Sequence, residues 1–313
     1  MIKKKFPKLI NQAILAPMAG VTDVAFRELC KKYGASLTFT EFVSSAAISR
    51  GKKLRSLKKE SKGPFGVQIF GNNMRELVES AKALEKEFDI IDINCGCPAH
   101  KVIKIGAGSD LLKRPDKIRE IVQTLSKAVK SPITVKIRSG IDEKHVNAVK
   151  VAQIAEKAGA SAIIIHARTQ KQGYSGCADW KLIKKVKKSV KIPVIGNGDV
   201  NSPEVFKKRL EESGVDYIMV GRAAMTNPHL FRQINDYLKK GSYEERSKIE
   251  QFCDYIRIAK KYKTSYFSVK QHAIRFTKGI VGGSKLRQKI SLCKDLRSIQ
   301  KIMKNSKKML VSS

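Results

Sequence analysis

Acidic residues are scarce in this chain: 28 Asp and Glu stand against 63 Lys and Arg in 313 residues. No CxxC pair occurs, and the six cysteines, Cys30, Cys95, Cys97, Cys177, Cys253 and Cys293, lack the compact spacing of a disulfide framework or a zinc set. No structural metal is therefore expected, and a reducing cytoplasmic setting fits best. No apolar run is long enough to span a membrane, and the basic N-terminal stretch has an apolar segment that Pro17 and Gly20 break, which argues against a signal peptide. The GxGxxG fingerprint of a resident dinucleotide is missing, and so is any low-complexity tract.

What the chain has in excess is positive charge. The formal net charge is +35 and the pI about 10.0, more than solubility requires, and such a field suits a polyanion, nucleic acid first of all. Because lysine supplies most of it, a genome-wide compositional bias or adaptation to heat is the competing account. The length accommodates one large α/β barrel with an appendage, or two ordinary domains.

Short apolar runs recur at spacings typical of βα units: 13–17, 37–42, 65–70, 89–94, 133–137, 162–166, 193–196 and 217–220. Amphipathic helical patterns follow at 24–32, 75–86, 115–129, 145–158, 180–188, 203–212 and 228–239, several with proline near the first turn. Eight such units over residues 1–240 predict a (β/α)8 TIM barrel, with an open doubly wound sheet as the alternative. Past Gly241 the strand pattern stops. Residues 241–313 carry 18 Lys or Arg against 5 Asp or Glu, and their apolar positions, such as Phe252, Tyr255, Ile256 and Ala259, fall at helical spacing. A small basic helical domain is expected there, and its segment 269–289 mixes basic and aromatic residues as RNA-contacting surfaces do, although a solvated charged face would look the same.

The run IDINCGCPAHKVIKIGAGSD, 91–110, puts a cysteine at the mouth of a strand. Cys97 lies between Gly96, which allows close approach, and Pro98, which fixes the exit of the chain. It is either a reactive thiol on a presenting loop or a small thiol in a turn. In a barrel, the C-terminal ends of the strands converge on one site, and here they are polar: Gln68, Asn94 and Cys97, Lys136 and Arg138, His166 and Arg168. Alternation places Lys136 with Arg138, and His166 with Arg168, on common sides; either pair could serve a structural ion pair instead. The last two units, IPVIGNGDV and DYIMVGRAAMTNP, end in glycine before a helix, as the phosphate sites of barrels do, with Gly198 and Gly221 allowing close backbone approach and Arg222 a bidentate partner.

Together, APMAGVTDVAFR (16–27), VQIFG (67–71), INCGCP (93–98), VKIRSG (135–140), IHARTQKQGYSGCADW (165–180), GNGDV (196–200) and GRAAMTNP (221–228) resemble the tRNA-dihydrouridine synthase family over about residues 11–235. The C-terminal part is similar mainly in a KQH and KG...R pattern. The resemblance implies an FMN-dependent enzyme that reduces selected uridines of tRNA to 5,6-dihydrouridine, with NADPH, or else NADH, as reductant. It implies that Cys97 is the general acid and that Gln68, Lys136 and His166 contact FMN, whose phosphate end falls to Asn197, Gly198, Gly221 and Arg222. Pro17, Met18, Ala19 and Asp199 join the cofactor set, while Asn94, Arg138 and Tyr174 match positions that contact uracil. Two departures are Ala167, where many relatives have glycine, and Cys95, whose thiol is expected to complicate labelling.

The chemistry agrees with those roles. Adding hydride to one carbon of the uracil 5,6 double bond requires a proton at the other, and a thiol with an ordinary pKa near 8.5 is protonated at neutral pH yet labile. The competing functions are a flavin oxidoreductase for a free pyrimidine and a non-catalytic RNA-binding barrel. A monomer is the default expectation.

Overall fold

The computed structural model describes residues 4–52, 54 and 57–311. The chain runs β1 (Ala13–Leu15), α1 (Val24–Lys32), β2 (Thr38–Phe39), β3 (Val43–Ser44), α2 (Ser45–Ser49), β4 (Phe65–Phe70), α3 (Met74–Leu84), β5 (Ile90–Cys95) and α4 (His100–Ile103). After a 3-10 turn at Gly108–Lys113 come α5 (Pro115–Ala128), β6 (Ile133–Arg138), α6 (Ala148–Lys157), β7 (Ala162–His166), α7 (Trp180–Ser189), β8 (Val194–Asn197), α8 (Pro203–Ser213) and β9 (Tyr217–Val220). Helices α9 (Arg222–Thr226), α10 (Leu230–Lys240), α11 (Lys248–Lys261), α12 (Tyr266–Phe276), α13 (Gly283–Leu292) and α14 (Leu296–Val311) follow.

All strand pairs are parallel, in the order β1-β9-β8-β7-β6-β5-β4-β2, with β3 also on β4. The ring closes where Leu15 N donates to Leu37 O at 2.9 Å and Ser36 N to Ala13 O at 2.9 Å. This is the expected (β/α)8 barrel, with its second strand in two pieces. The run 37–42 breaks because Thr40 Oγ1 donates to Glu41 O (2.8 Å) and accepts Gln68 N (3.3 Å), so a side chain replaces the ladder there. The first strand stops short of 17 because proline offers no N–H to the ladder. The helix expected from 145 begins at Ala148, since the amides of Lys144 and His145 turn onto Asp142 Oδ1 (3.1 and 3.0 Å). The helix expected from 228 begins at Leu230, after the turn that holds Pro228 and His229.

Period-two alternation sorts each strand. Val67, Ile69, Ile91, Ile93, Val135, Ile137, Ile163 and Ile165 face outward against the helices. Ile14, Leu37, Phe39, Ile90, Ala162, Ile164, Ile195 and Met219 form a separate inner core. Phe6 and Leu9 join that inner core; the Phe6 ring lies 5.7 Å from Tyr217, and Ser161 Oγ ties Lys4 O at 2.6 Å. The N-terminal segment thereby closes one end of the barrel, leaving the strand ends at the other for polar groups. Side-chain caps start several helices: Asp23 accepts Phe26 N (2.9 Å), Asp179 accepts Leu182 N (3.0 Å), and Ser202 accepts Val205 N (3.2 Å) ahead of Pro203.

The C-terminal helices dock through α11 onto α1. Asp254 accepts from Tyr33 Oη (2.6 Å) and Arg246 (2.8 Å), while Asp23 accepts from Tyr255 Oη (3.1 Å) and meets His272 Nε2 (3.1 Å). Among the described residues, no helix is long and apolar enough to cross a membrane, and no group of three His, Cys, Asp or Glu could hold a metal ion.

Candidate active site

The C-terminal ends of the strands surround a cavity of about 1110 Å³. Every site residue singled out in the sequence lines it: Pro17, Met18 and Ala19 after β1, Gln68 on β4, Asn94 and Cys97 at the end of β5, and Lys136 and Arg138 on β6. His166 of β7, Tyr174 in the following loop, Asn197, Gly198 and Asp199 at the end of β8, and Gly221 and Arg222 after β9 complete the ring.

The Cys97 loop is pinned at several points. Asn94 Oδ1 accepts Gly96 N (3.2 Å) and Cys97 N (2.9 Å), and Cys97 O accepts the amide and hydroxyl of Ser109 (3.0 and 2.9 Å). Glycine at 96 allows the loop to lie against β6, since a Cβ there would stand 3.3 Å from the Ile137 carbonyl carbon. Cys97 is partly exposed, whereas Cys95 is fully buried on the outward side of β5. Burial pushes the Cys95 thiol far up, so the expected labelling complication does not come from Cys95. It comes from Cys177, which is exposed and lines the same cavity.

Cations dominate the walls. Lys136 Nζ reaches Asn197 Oδ1 at 3.3 Å, and Asn197 Nδ2 donates to Met219 O at 2.7 Å. Burial lowers the Lys136 ammonium to about 8 despite the nearby Asp92 carboxylate. Burial and the cations of Lys136, Arg138 and Arg168 drive His166 down to about 2, so it works as a neutral imidazole. Arg138 is held by three carbonyls, donating Nε to Gly96 O (2.9 Å) and Nη1 to Thr169 O (2.8 Å) and Gly173 O (2.9 Å), with its guanidinium 5.9 Å from the Tyr174 ring. Of Lys136, Arg138, His166 and Arg168, Arg168 alone among the described residues serves an ion pair, with Asp199 at 2.8 Å.

At the far side, Asp199 Oδ1 accepts from both Arg168 (2.8 Å) and Arg222 (2.8 Å), and Oδ2 accepts Ala178 N (2.7 Å). Those bonds outweigh the upward push of burial and hold its carboxyl below the usual range. The turn is conformationally demanding: Gly198 has φ +131° and Asp199 φ +53°. Arg222 also lies 4.9 Å over the ring of Tyr174, a residue 63 % exposed and thus open to incoming ligand. Asp92, set between Gln68 and Thr134 on neighbouring strands, has one signal in the sequence, a carboxylate inside an apolar strand run.

A family model described as dihydrouridine synthase (Dus) matches residues 14–311. The tRNA-dihydrouridine synthase B of Pseudomonas aeruginosa is 44 % identical over 239 residues, covering 75 % of this chain and 72 % of its own length. A probable tRNA-dihydrouridine synthase of Rickettsia conorii is 38 % identical over 307 residues, covering 94 % and 93 %. In fold, the chain is similar to morphinone reductase, with a TM-score of 0.55 at 12 % identity over 80 % of this chain and 91 % of that one.

Proposed function

Because the chain belongs to the dihydrouridine synthase family, we propose that it is a flavin-dependent oxidoreductase that reduces selected uridines of tRNA to 5,6-dihydrouridine, with FMN as cofactor and NADPH as reductant. The observation that carries this reading is the convergence of Cys97, Gln68, Lys136, His166 and Asn197 on one cavity.

The residues fit a flavin mononucleotide. The cavity is large, its wall is rich in donors and cations suited to an anionic ligand, and Gly221 leaves open the space in which a Cβ would approach Ala16 and Met18 (3.6 and 3.8 Å). Gln68, Lys136 and the neutral His166 would bond the ring system, and Asn197, Gly198, Gly221 and Arg222 the phosphate end. Pro17, Met18 and Ala19 would pack against the cofactor, while Asp199 acts by aligning Arg168 and Arg222. When bound and reduced, FMN supplies the hydride for the uracil double bond. Lys136 places a cation where negative charge collects. Cys97 Sγ delivers the proton to the other carbon. Asn94 and Arg138 would hold the uracil polar edge, and Tyr174 offers an exposed face for stacking.

A uridine must leave its stack to enter such a cavity, at a cost of a few kcal/mol. Phosphate contacts made by a chain of net charge +35, with residues 241–313 as the tRNA-binding part, would offset that cost. The test is anaerobic: record the visible spectrum of the purified protein, add NADPH, then add unmodified tRNA. Reoxidation coupled to dihydrouridine formation is the expected result. A reducible yellow protein indifferent to tRNA would point to a small pyrimidine instead, and a colourless one that FMN does not reconstitute would overturn the proposal.

A further inference from the structure

Asp92 is fully buried in the middle of β5, with its side chain inside the barrel. The ladder sets Gln68 of β4 on one side of it and Thr134 of β6 on the other. Thr134 Oγ1 donates to Oδ1 at 2.6 Å and Gln68 Nε2 donates to Oδ2 at 2.6 Å. Burial pushes this carboxyl up, while those two bonds and the Lys136 ammonium pull the other way, and both of its oxygens act as acceptors.

A carboxylate that accepts on both oxygens offers Gln68 no donor, and that sets the polarity of the amide above it. Gln68 must turn Nε2 down toward Asp92 and Oε1 up. Asn94 must then donate, and its Nδ2 meets Gln68 Oε1 at 2.7 Å. This leaves Asn94 Oδ1 to accept the amides of Gly96 and Cys97. A carboxamide is nearly the same shape either way round; the Gly96 and Cys97 N–H groups, which only donate, set Asn94 from one end of the chain, and the Asp92 carboxylate sets Gln68 from the other.

We infer that Asp92 is a positioning residue: its carboxylate holds the Gln68 amide in the one orientation that accepts from Asn94, and so supports the Asn94 bonds that place Cys97. The role rests on the reading of the cavity as a flavin site with Cys97 as acid. Asp92 itself is not among the residues that line the cavity. It joins the cofactor side of the cavity to the acid loop along a chain of short bonds running from Thr134 to Cys97.

Asp92→Asn tests this, because an amide donates as well as accepts and lets Gln68 turn over, which sets its Nε2 against Asn94 Nδ2 and pushes Asn94 off the Cys97 N–H. Alkylation of Cys97 by iodoacetamide in the holoprotein, read by peptide mass spectrometry, is expected to accelerate about fivefold, the change that loss of one ordinary hydrogen bond produces. The kcat for tRNA should fall about tenfold or more, while the KM stays within about twofold. The pair Asp92→Asn with Gln68→Glu moves the carboxylate to the next strand, where it again accepts from Asn94; Cys97 alkylation should return to within about twofold of wild type. That pair also carries the test if the single variant does not fold, and rapid alkylation in it overturns the inference. Unchanged alkylation in Asp92→Asn with only a shifted flavin potential would mean that Asp92 merely balances Lys136, and would also overturn it. A wild-type protein that binds no flavin defeats the functional reading, while the alkylation comparison still decides the role of Asp92.

Discussion

His272 Nε2 lies 3.1 Å from Asp23 Oδ2, and the other oxygen of that carboxylate caps the first helix of the barrel. The imidazole stacks on Phe26 at 4.8 Å, and Tyr255 Oη donates to the same Oδ2 at 3.1 Å. One residue before Asp23, Thr22 Oγ1 both accepts Met18 N and donates to Met18 O, each at 3.1 Å, in the loop that lines the cavity. The C-terminal helices therefore grip the barrel at the root of a loop proposed to pack on the cofactor.

Asp23→Ala removes the cap and the acceptor of two buried donors, and should destabilise the protein by about 2–4 kcal/mol in denaturant titration, with Asp23→Asn milder because it still caps. Burial pushes the Asp23 carboxyl up, but bonding to His272, Phe26 N and Tyr255 holds it below its ordinary 3.8. A depressed carboxylate stabilises the fold above its unfolded pKa and loses that contribution as pH falls through the folded one. Acid unfolding of Asp23→Asn should therefore show a flatter limb below about pH 4 than wild type.

Cys97→Ala should leave flavin bound and reducible by NADPH while dihydrouridine formation falls about 10²–10⁴-fold, the usual contribution of a general acid. Stopped-flow reduction and single-turnover reoxidation separate the two half-reactions. Retention of tRNA turnover would remove Cys97 from the acid role.

Lys136 titrates near 8 in the cavity. Deprotonation removes a cation that faces the proposed flavin, so FMN affinity of the stripped protein should weaken as pH rises through about 8. Lys136→Met should bind more weakly at pH 7 and lose that pH step. Fluorescence titration across pH 6–10 would read both.

Affinity for unmodified tRNA should fall steeply with salt. With about six phosphate contacts the loss between 50 and 200 mM would be about 10³-fold. Anisotropy measured along a salt series gives the slope, and a nearly flat line would detach the +35 charge from RNA binding.

Much of the barrel was legible because parallel strands buried on both faces read as short apolar runs, and because polar strand ends such as Gln68, Asn94, Lys136 and His166 stand out against them. The break in the second strand was not legible, since it depends on where Thr40 Oγ1 finds its partners. Asp92 was absorbed into the run IIDIN; only its parity with Asn94, two residues on, placed it inside the barrel rather than against a helix. His272 belonged to a weak KQH pattern, and its partner lies 249 residues away, beyond any local signal.

The N-terminal segment around Phe6 and Leu9 plugs one end of the barrel and turns it into a blind vessel. On the proposed function, the reductant and the tRNA uridine would both enter the cavity that Cys97, Tyr174 and Arg222 line. Two visitors to one cavity would take turns, so each at high concentration should obstruct the other.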